Sequence, residues 1–207
     1  MSIDTEIKFC GMKRAEDVEM ACQLGVNALG FIFFPKSKRA IDIETAIKIS
    51  QNVPSSIARY AVVVNPSPQW LKQMLKDFQP TVIQFHGDET PEFCQQFGYP
   101  YIKAIAATST KSIIDASHRY SLAKAILIDT PAQENYGGTG QSFDWQVVPN
   151  KTSKPVILAG GLTVENVLEA IKQVNPKMVD CCSGVESAPG IKDETLMRQF
   201  IKQVRGE

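Results

Sequence analysis

Short apolar runs alternate with amphipathic segments along almost the whole chain, and this alternation restricts the possible folds more than any other feature. Each run is four to seven residues long, nearly continuous and rich in Val, Ile and Phe. Strands that are buried on both faces of a sheet have this pattern. We therefore predict eight buried strands, at 7–10, 28–34, 60–64, 82–85, 101–107, 125–128, 155–159 and 178–182.

The segments between these runs have the residue spacing of amphipathic helices. After Pro68, which is tolerated in a first helical turn, Leu71 and Met74 fall on one face of the segment 68–78. Gly25 predicts the end of the first helix. We predict helices at 15–24, 45–49, 68–78, 90–97 and 163–174, whereas 133–141 is loop-like and leaves room only for a short helix near 144–148.

Eight alternating strand and helix units predict an α/β fold with a parallel sheet, because parallel neighbours need crossover connections. Eight such units close most naturally into a single-domain (β/α)8 TIM barrel, here with short loops and spanning residues 1–207. An open doubly wound sheet is the alternative. For dinucleotides it carries a Gly-x-Gly-x-x-Gly turn after its first strand, and Cys10-Gly11-Met12-Lys13 is not that turn.

The charge balance and the cysteine and histidine counts exclude several classes of protein. Lys and Arg together number 22, as do Asp and Glu, so we expect no nucleic-acid partner. No apolar run approaches the roughly 18 residues of a membrane span, and the first residues do not resemble a secretory signal. Five cysteines without Cys-x-x-Cys spacing and only two histidines argue against disulfides and a metal site. We expect a cytoplasmic protein without a metal.

Polar residues at the ends of the predicted strands indicate where the chemistry lies. In a (β/α)8 barrel the carboxyl ends of the strands meet at one mouth, where the active site forms. A convergence of Cys, Arg, His and Asp at this mouth is hard to explain by packing alone. The residues concerned are Cys10, Arg39, Asn65, His86, Asp129, Gly160, Gly161 and 180–183.

Glycines after the seventh and eighth strands indicate a phosphate site. Gly160 and Gly161 precede a predicted helix, and Cys182 and Ser183 precede another glycine. Glycines let backbone N–H groups approach an anion, and a helix N-terminus favours negative charge. A Gly-Gly pair also occurs in ordinary turns, but its position after strand seven favours phosphate binding.

Cys10 and Asp129 are the candidate proton carriers. A thiol beside a cation can act as a general base, and a carboxyl group at an apolar strand end can act as a general acid. The alternatives are a core-filling cysteine and a turn-capping aspartate. Arg39 either pairs with a substrate carboxylate or belongs to a solvated loop. His86 is either a second acid/base group or, as we favour, a hydrogen-bonded residue of the barrel rim.

An ordered set of motifs resembles the phosphoribosylanthranilate isomerase family of tryptophan biosynthesis. The resemblance covers nearly the whole chain, from Lys8 to Asp193, and the order of the motifs makes it specific. The motifs are Lys8-Phe9-Cys10-Gly11-Met12, Phe34-Pro35-Lys36-Ser37-Lys38-Arg39, Gln84-Phe85-His86-Gly87-Asp88-Glu89, Ile128-Asp129, Gly137-Gly138-Thr139-Gly140, Phe143-Asp144-Trp145, Leu158-Ala159-Gly160-Gly161-Leu162 and Asp180 through Ser183-Gly184-Val185-Glu186.

This resemblance implies an Amadori rearrangement that uses neither cofactor nor metal. N-(5-phosphoribosyl)anthranilate would become 1-(2-carboxyphenylamino)-1-deoxyribulose 5-phosphate, with Asp129 as the acid and Cys10 as the base. The implied substrate-binding residues are Arg39 for the anthranilate carboxylate, Gly160, Gly161, Cys182 and Ser183 for the phosphate, and Gln84, His86 and Asp180 elsewhere in the site.

The sequence also departs from the family pattern at some positions, and two other functions are compatible with it. Cys182 stands where the family usually has serine, and Gln141 stands where a basic residue is common. The alternatives are a sibling barrel acting on another ribulose or indole phosphate and a non-catalytic barrel that binds a phosphate ligand. The expected partner is a small phosphorylated substrate, and the neutral surface permits a monomer or a homodimer.

Overall fold

Eight parallel strands form a closed barrel in which every strand pairs with its neighbours in chain order. This arrangement is seen in a computed structural model that describes residues 5–131 and 142–206. The first and last strands close the barrel through the register Glu6↔Met178 to Phe9↔Cys181. The barrel strands are β1 (Glu6–Cys10), β2 (Ala28–Ile32), β3 (Ala58–Val63), β4 (Val82–Phe85), β5 (Tyr101–Ala106), β6 (Ile126–Asp129), β7 (Val156–Leu158) and β8 (Met178–Cys181).

Helices connect most of the strands and cover the outside of the barrel. They are α1 (Ala15–Gln23), α2 (Ile43–Ser50), α3 (Pro68–Phe78), α4 (Pro91–Gln95), α5 (Thr110–Arg119), α6 (Val167–Val174) and α7 (Glu194–Arg205). A 3-10 helix at Trp145–Val147 confirms the short helix predicted near 144–148. The predicted loop at 133–141, with Gly137-Gly138-Thr139-Gly140 and Gln141, lies outside the described residues. No helix of 5–131 or 142–206 is long and apolar enough to cross a membrane.

Two apolar layers fill the molecule, as the alternation of side chains along each strand requires. One layer lies between the strands and the surrounding helices and includes Phe9, Phe31 and Phe85. The other occupies the barrel interior and includes Tyr60, Ile102 and Leu127. The prediction of strands buried on both faces is therefore confirmed.

Local signals fix most helix ends, and the start predicted at 163 was wrong by four residues. Ser67 accepts a hydrogen bond from the backbone N–H of Trp70, so the cap and the following proline begin α3 together. The helix predicted from 163 begins instead at Val167, because Asn166 Oδ1 accepts the Thr163 N–H at 2.8 Å and closes a turn.

A small hairpin between β8 and α7 was not predicted from the sequence. Its strands are β9 (Glu186–Ala188) and β10 (Ile191–Lys192), and they pair antiparallel. The chain reverses at Gly190, whose φ of 82° favours glycine. The hairpin brings Glu186 and Lys192 over the ends of β1 and β8, where the candidate site lies.

Candidate active site

The ten predicted site residues line one cavity at the carboxyl ends of the barrel strands. This cavity has a volume of about 810 Å³ including its open mouth, and apolar walls such as Phe34 and Leu162 complete it. The residues brought together are Cys10, Arg39, Gln84, His86, Asp129, Gly160, Gly161, Asp180, Cys182 and Ser183. Asn65, another strand-end residue, does not line this cavity.

The glycine loop after β7 lies against the end of β6. Gly160 and Gly161 have φ angles of 82° and 60°, in the left-handed region that favours glycine. A Cβ on Gly160 would lie 2.4 Å from Thr130 Oγ1 and 3.0 Å from Asp129 Oδ1. A side chain here would therefore displace the Asp129 loop as well as block the cavity.

The loops after β7 and β8 are held against each other. Thr163 and Gly184 form an isolated parallel bridge, and a Cβ on Gly184 would lie 1.9 Å from Leu162 O. Asn166 Nδ2 donates to Gly161 O at 2.9 Å and braces the glycine loop from the side of α6. These contacts place Gly160–Gly161 and Cys182–Ser183 next to each other, as a two-loop phosphate site requires.

Gln84, His86 and Asp129 form a chain of polar contacts across the ends of β4 and β6. Gln84 Nε2 lies 3.1 Å from His86 Nδ1, and His86 Nε2 lies 3.3 Å from Asp129 Oδ2. Because the Gln84 amide nitrogen can only donate, His86 Nδ1 accepts and Nε2 carries the hydrogen that faces Asp129. The other carboxylate oxygen of Asp129 accepts the Thr130 N–H at 2.7 Å. His86 therefore lies next to the proposed acid.

A buried ion pair supports the loop that carries His86. Lys103 Nζ lies 3.2 Å from Glu89 Oε2, and both side chains are almost fully buried. Glu89 accepts the backbone N–H groups of Gly87 and Asn65, at 3.0 Å and 2.7 Å. Asn65 Oδ1 in turn accepts the Asp88 N–H at 2.8 Å, so Asn65 braces the loop after β4.

The thiols of Cys10 and Cys182, at the ends of β1 and β8, are close enough for a hydrogen bond between them to shift both pKa values. This hydrogen bond and burial raise the pKa of Cys10 well above its ordinary value, against the effect of Lys8. The pKa of Cys182 is lowered, first by its hydrogen bond with Cys10 and then by the charges of Lys192 and Arg39. The pKa values of the two thiols are therefore shifted in opposite directions, whereas the sequence had indicated Cys10 alone. All five cysteines are free thiols.

Lys8 and Asp180 lie below these thiols in the barrel interior. Lys8 Nζ is 2.7 Å from Asp180 Oδ2, and the Lys8 side chain is 0% exposed. Gly30 on β2 makes room for this arrangement, since a Cβ there would lie 2.6 Å from Cys10 Sγ and 3.0 Å from Lys8 Nζ. Asp180 lines the cavity, and Lys8 was missed because it lies within an apolar run.

Arg39 is already paired with a carboxylate of this chain. Its Nε and Nη2 donate to Glu186 at 2.9 Å and 2.7 Å in a fork geometry. Burial raises the pKa of Glu186, but the hydrogen bonds and charges of Arg39 and Lys192 lower it overall. Glu186 appeared in a motif of the sequence without a role, and Lys192 gave no signal. Among 5–131 and 142–206, no three His, Cys, Asp or Glu side chains are grouped so that they could hold a metal ion.

Comparisons with known proteins identify the family to which the chain belongs. The family described as N-(5'phosphoribosyl)anthranilate (PRA) isomerase matches residues 7–203. The N-(5'-phosphoribosyl)anthranilate isomerase of Legionella pneumophila (strain Corby) is 46% identical over 200 residues, which cover 97% of both chains. That of Pseudomonas putida (strain W619) is 41% identical over 198 residues, which cover 96% of both.

Solved structures of the same family are similar in fold. The phosphoribosyl anthranilate isomerase of Thermotoga maritima has a TM-score of 0.90 and 34% identity, covering 98% of this chain and 100% of the other. A second structure, with a TM-score of 0.84 and 32% identity over the same shares, is a complex with reduced 1-(o-carboxyphenylamino)-1-deoxyribulose 5-phosphate.

Proposed function

The chain belongs to the N-(5'-phosphoribosyl)anthranilate isomerase family, and from this premise we propose which of its residues carry the reaction. It is an isomerase of tryptophan biosynthesis that converts N-(5-phosphoribosyl)anthranilate to 1-(2-carboxyphenylamino)-1-deoxyribulose 5-phosphate. The observation that carries the assignment is that Cys10 and Asp129 line the same cavity, next to the paired glycine loops.

In the first half of the reaction, Asp129 is the general acid. Its carboxyl group protonates the ring oxygen, the bond between C1 and this oxygen breaks, and the nitrogen lone pair forms the C=N bond of a Schiff base. His86 Nε2, at 3.3 Å from Asp129 Oδ2, faces the carboxylate that remains after this proton transfer and can stabilise its negative charge.

In the second half, Cys10 is the general base. The Cys10 proton first moves to the Cys182 thiolate across their hydrogen bond. The Cys10 thiolate then removes the C2 proton, the C–H electron pair forms the C1=C2 bond, and the C=N electrons return to nitrogen. The resulting enolamine loses its hydroxyl proton and gains a proton at C1, which gives the ketone.

The anionic ends of the substrate have separate partners. Backbone N–H groups of Gly160, Gly161, Cys182 and Ser183 bind the phosphate. The hydrogen bonds to Glu186 use Nε and Nη2 of Arg39, and Nη1 is the nitrogen that binds the anthranilate carboxylate. Glu186 thereby fixes the plane of the guanidinium before substrate arrives.

Two buried acceptors at the cavity suit the polar middle of the substrate. Gln84 Oε1 and Asp180 Oδ1 are buried and accept no hydrogen bond from the described part of the chain. Unpaired buried oxygens are costly, and a ligand that donates to them recovers this cost. We assign them to the ribose hydroxyls and the amine of the substrate.

Substitution of the proposed acid and base tests these roles. Cys10→Ala and Asp129→Asn each lower kcat by orders of magnitude in this proposal, with the circular dichroism spectrum of the parent. Saturable binding of the product by both variants shows that the loss is catalytic. Parent-like turnover of both variants would exclude the proposed pair.

The proposal also covers the domain organisation, the cellular compartment and the oligomeric state. Residues 1–207 form one domain that binds a small phosphorylated substrate and acts in the cytoplasm as a monomer or a homodimer. One similar structure is described as monomers made from a dimeric phosphoribosylanthranilate isomerase of Thermotoga maritima, which supports considering both states. Sedimentation equilibrium distinguishes them.

A further inference from the structure

We propose that Lys192 is a positioning residue for the isomerisation, whose ammonium fixes the main chain of Cys10 and, through Glu186, the orientation of Arg39. The inference rests on the roles proposed above for Cys10 and Arg39. It connects the proton-abstracting end of the site to its carboxylate-binding end through one buried cation.

The Lys192 ammonium has three hydrogen atoms, and the structure supplies one acceptor for each. Lys192 Nζ donates to Cys10 O at 2.6 Å, to Cys182 O at 2.9 Å and to Glu186 Oε1 at 2.9 Å. Its side chain is 0% exposed. Burial of a lysine is costly unless its donors are satisfied and its charge is paired, and here both conditions hold.

The position of this ammonium matters because the β1–β8 register ends just before it. The last paired residues of the two strands are Phe9 and Cys181. One residue further along each strand, the carbonyls of Cys10 and Cys182 both accept from Lys192. The lysine thus links the two thiol-bearing residues after the register of the two strands has ended.

Lys192 also acts on the thiols by its charge. Its Nζ lies 4.0 Å from Cys182 Sγ and lowers the Cys182 pKa together with Arg39, whereas Glu186 raises it. On the other side of the thiols, Lys8 lowers the Cys10 pKa and Asp180 raises it. The two thiols therefore have three cations as neighbours, which are Lys8, Arg39 and Lys192. They also have two carboxylates as neighbours, which are Asp180 and Glu186.

The surrounding chain holds Lys192 in place. Its backbone N–H donates to Asp17 Oδ2 at 3.2 Å, and Asp17 also binds Arg14 at the start of α1. A Cβ on Gly190 would lie 2.6 Å from the Lys13 side chain, so the hairpin turn fits tightly against the loop after β1. The ammonium is fixed from its backbone outwards.

The test compares Lys192→Met with Lys177→Met. Lys177 pairs with Glu6 at 2.9 Å at the opposite end of the same two strands, far from the cavity. We measure kcat, KM and, independently of activity, the pH dependence of iodoacetamide alkylation at Cys10 and Cys182 by peptide mass spectrometry. Lys192→Met lowers kcat/KM about 10- to 100-fold, as the loss of supporting contacts around a site does, and Lys177→Met leaves it unchanged.

The direction of the pH shift separates positioning from a loss of stability. Lys192 lowers the pKa of Cys182. Removal of this cation therefore moves the pH midpoint of Cys182 alkylation to higher pH, by about one unit. Glu186→Gln removes an anion instead and moves the pH midpoint of Cys182 alkylation to lower pH. KM rises in this variant because Arg39 loses its hydrogen-bond partner. A general loosening of the fold gives no such opposite pair of shifts.

Three results would overturn the inference. The first is a Lys192→Met variant that keeps the kcat/KM and the Cys182 alkylation midpoint of the parent. The second is a Glu186→Gln variant that keeps the parent midpoint and KM. The third is an equal change of kcat/KM in Lys192→Met and Lys177→Met. Glu186→Gln is nearly isosteric and carries the test if Lys192→Met does not fold. An active Cys10→Ala variant contradicts the proposed function, whereas unmoved midpoints with an inactive Cys10→Ala variant contradict this inference alone.

Discussion

Lys8 Nζ and Asp180 Oδ2 lie 2.7 Å apart inside the barrel, two residues before Cys10 and Cys182 on their strands. An ion pair at this depth is costly to break because each charge has lost its water. We predict that Lys8→Met lowers the free energy of unfolding by about 3–5 kcal/mol in urea titration, because it strands the Asp180 carboxylate. The double variant Lys8→Met/Asp180→Leu regains most of this loss. Equal stabilities of the two variants would contradict the pairing argument.

Replacement of the second thiol separates the two cysteines. In Cys182→Ser, a neutral hydroxyl replaces the thiol whose pKa is lowered. Because the hydrogen bond with Cys182 is the largest cause that raises the Cys10 pKa, the pH midpoint of Cys10 alkylation falls in this variant. Iodoacetamide labelling with peptide mass spectrometry measures it, and Cys22→Ser serves as the control for loss of a thiol away from the cavity. An unchanged Cys10 midpoint argues against the coupling.

Glu186 makes the stability depend on pH in a defined direction. Its pKa is lowered in the folded chain from an ordinary value of 4.5. The carboxylate therefore stabilises the fold above about pH 4.5, and this contribution is lost as the pH falls through the lower folded pKa. We predict that the parent exceeds Glu186→Gln by about 3 kcal/mol at pH 7 and that the difference shrinks below pH 4.5. Urea unfolding at pH 7, 5, 4 and 3 provides the measurement.

The buried pair behind the His86 loop is predicted to affect both stability and catalysis. Glu89→Gln leaves the Lys103 ammonium without its carboxylate and costs about 3 kcal/mol. It also lowers kcat, because Glu89 anchors the backbone next to His86. Asp115→Asn is the matched control. It breaks the exposed Lys111–Asp115 pair, which contributes about 0.5 kcal/mol or less. Similar unfolding free energies for the two variants would refute the role of burial.

Gly160→Ala is predicted to weaken phosphate binding. The new Cβ would lie 2.4 Å from Thr130 Oγ1, at a φ of 82°, so the glycine loop and the Asp129 loop must both move. We expect KM to rise at least tenfold. Gly98→Ala controls for backbone strain, because Gly98 has a φ of 60° but no atom of the described chain within 4 Å of a new Cβ. The control loses about 1 kcal/mol of stability and no activity.

The barrel could be predicted from the sequence because each of its strands has a recognisable local pattern. A strand buried on both faces is apolar throughout, and eight such runs with helical segments between them leave few topologies. The same regularity placed Cys10, Asp129 and the glycine loops at one mouth. Two helices, Thr110–Arg119 and Glu194–Arg205, were not predicted individually, since polar residues dominate both and only their packed faces mark them.

The charged supports of the site could not be predicted, because their partners are distant in sequence. Lys8 and Asp180 are 172 positions apart, and Arg39 and Glu186 are 147 apart. Lys8 looks like an interruption of an apolar run, and Lys192 looks like a surface residue of a hairpin. Only the closure of the barrel between β1 and β8 brings these groups together. Local spacing predicts a candidate acid and a candidate base but not the ions around the candidate base.

The pairing of Arg39 and Lys192 with Glu186 also determines the net charge around the two thiols of the site. Lys8, Lys192 and Arg39 contribute three positive charges there, against two negative charges from Asp180 and Glu186. These groups therefore leave one net positive charge, which can stabilise either a cysteine thiolate or the carboxylate of the substrate. In the proposed mechanism the substrate carboxylate competes with the two thiols for this positive charge, so that binding of the substrate raises the thiol pKa values and with them the proton affinity of the base.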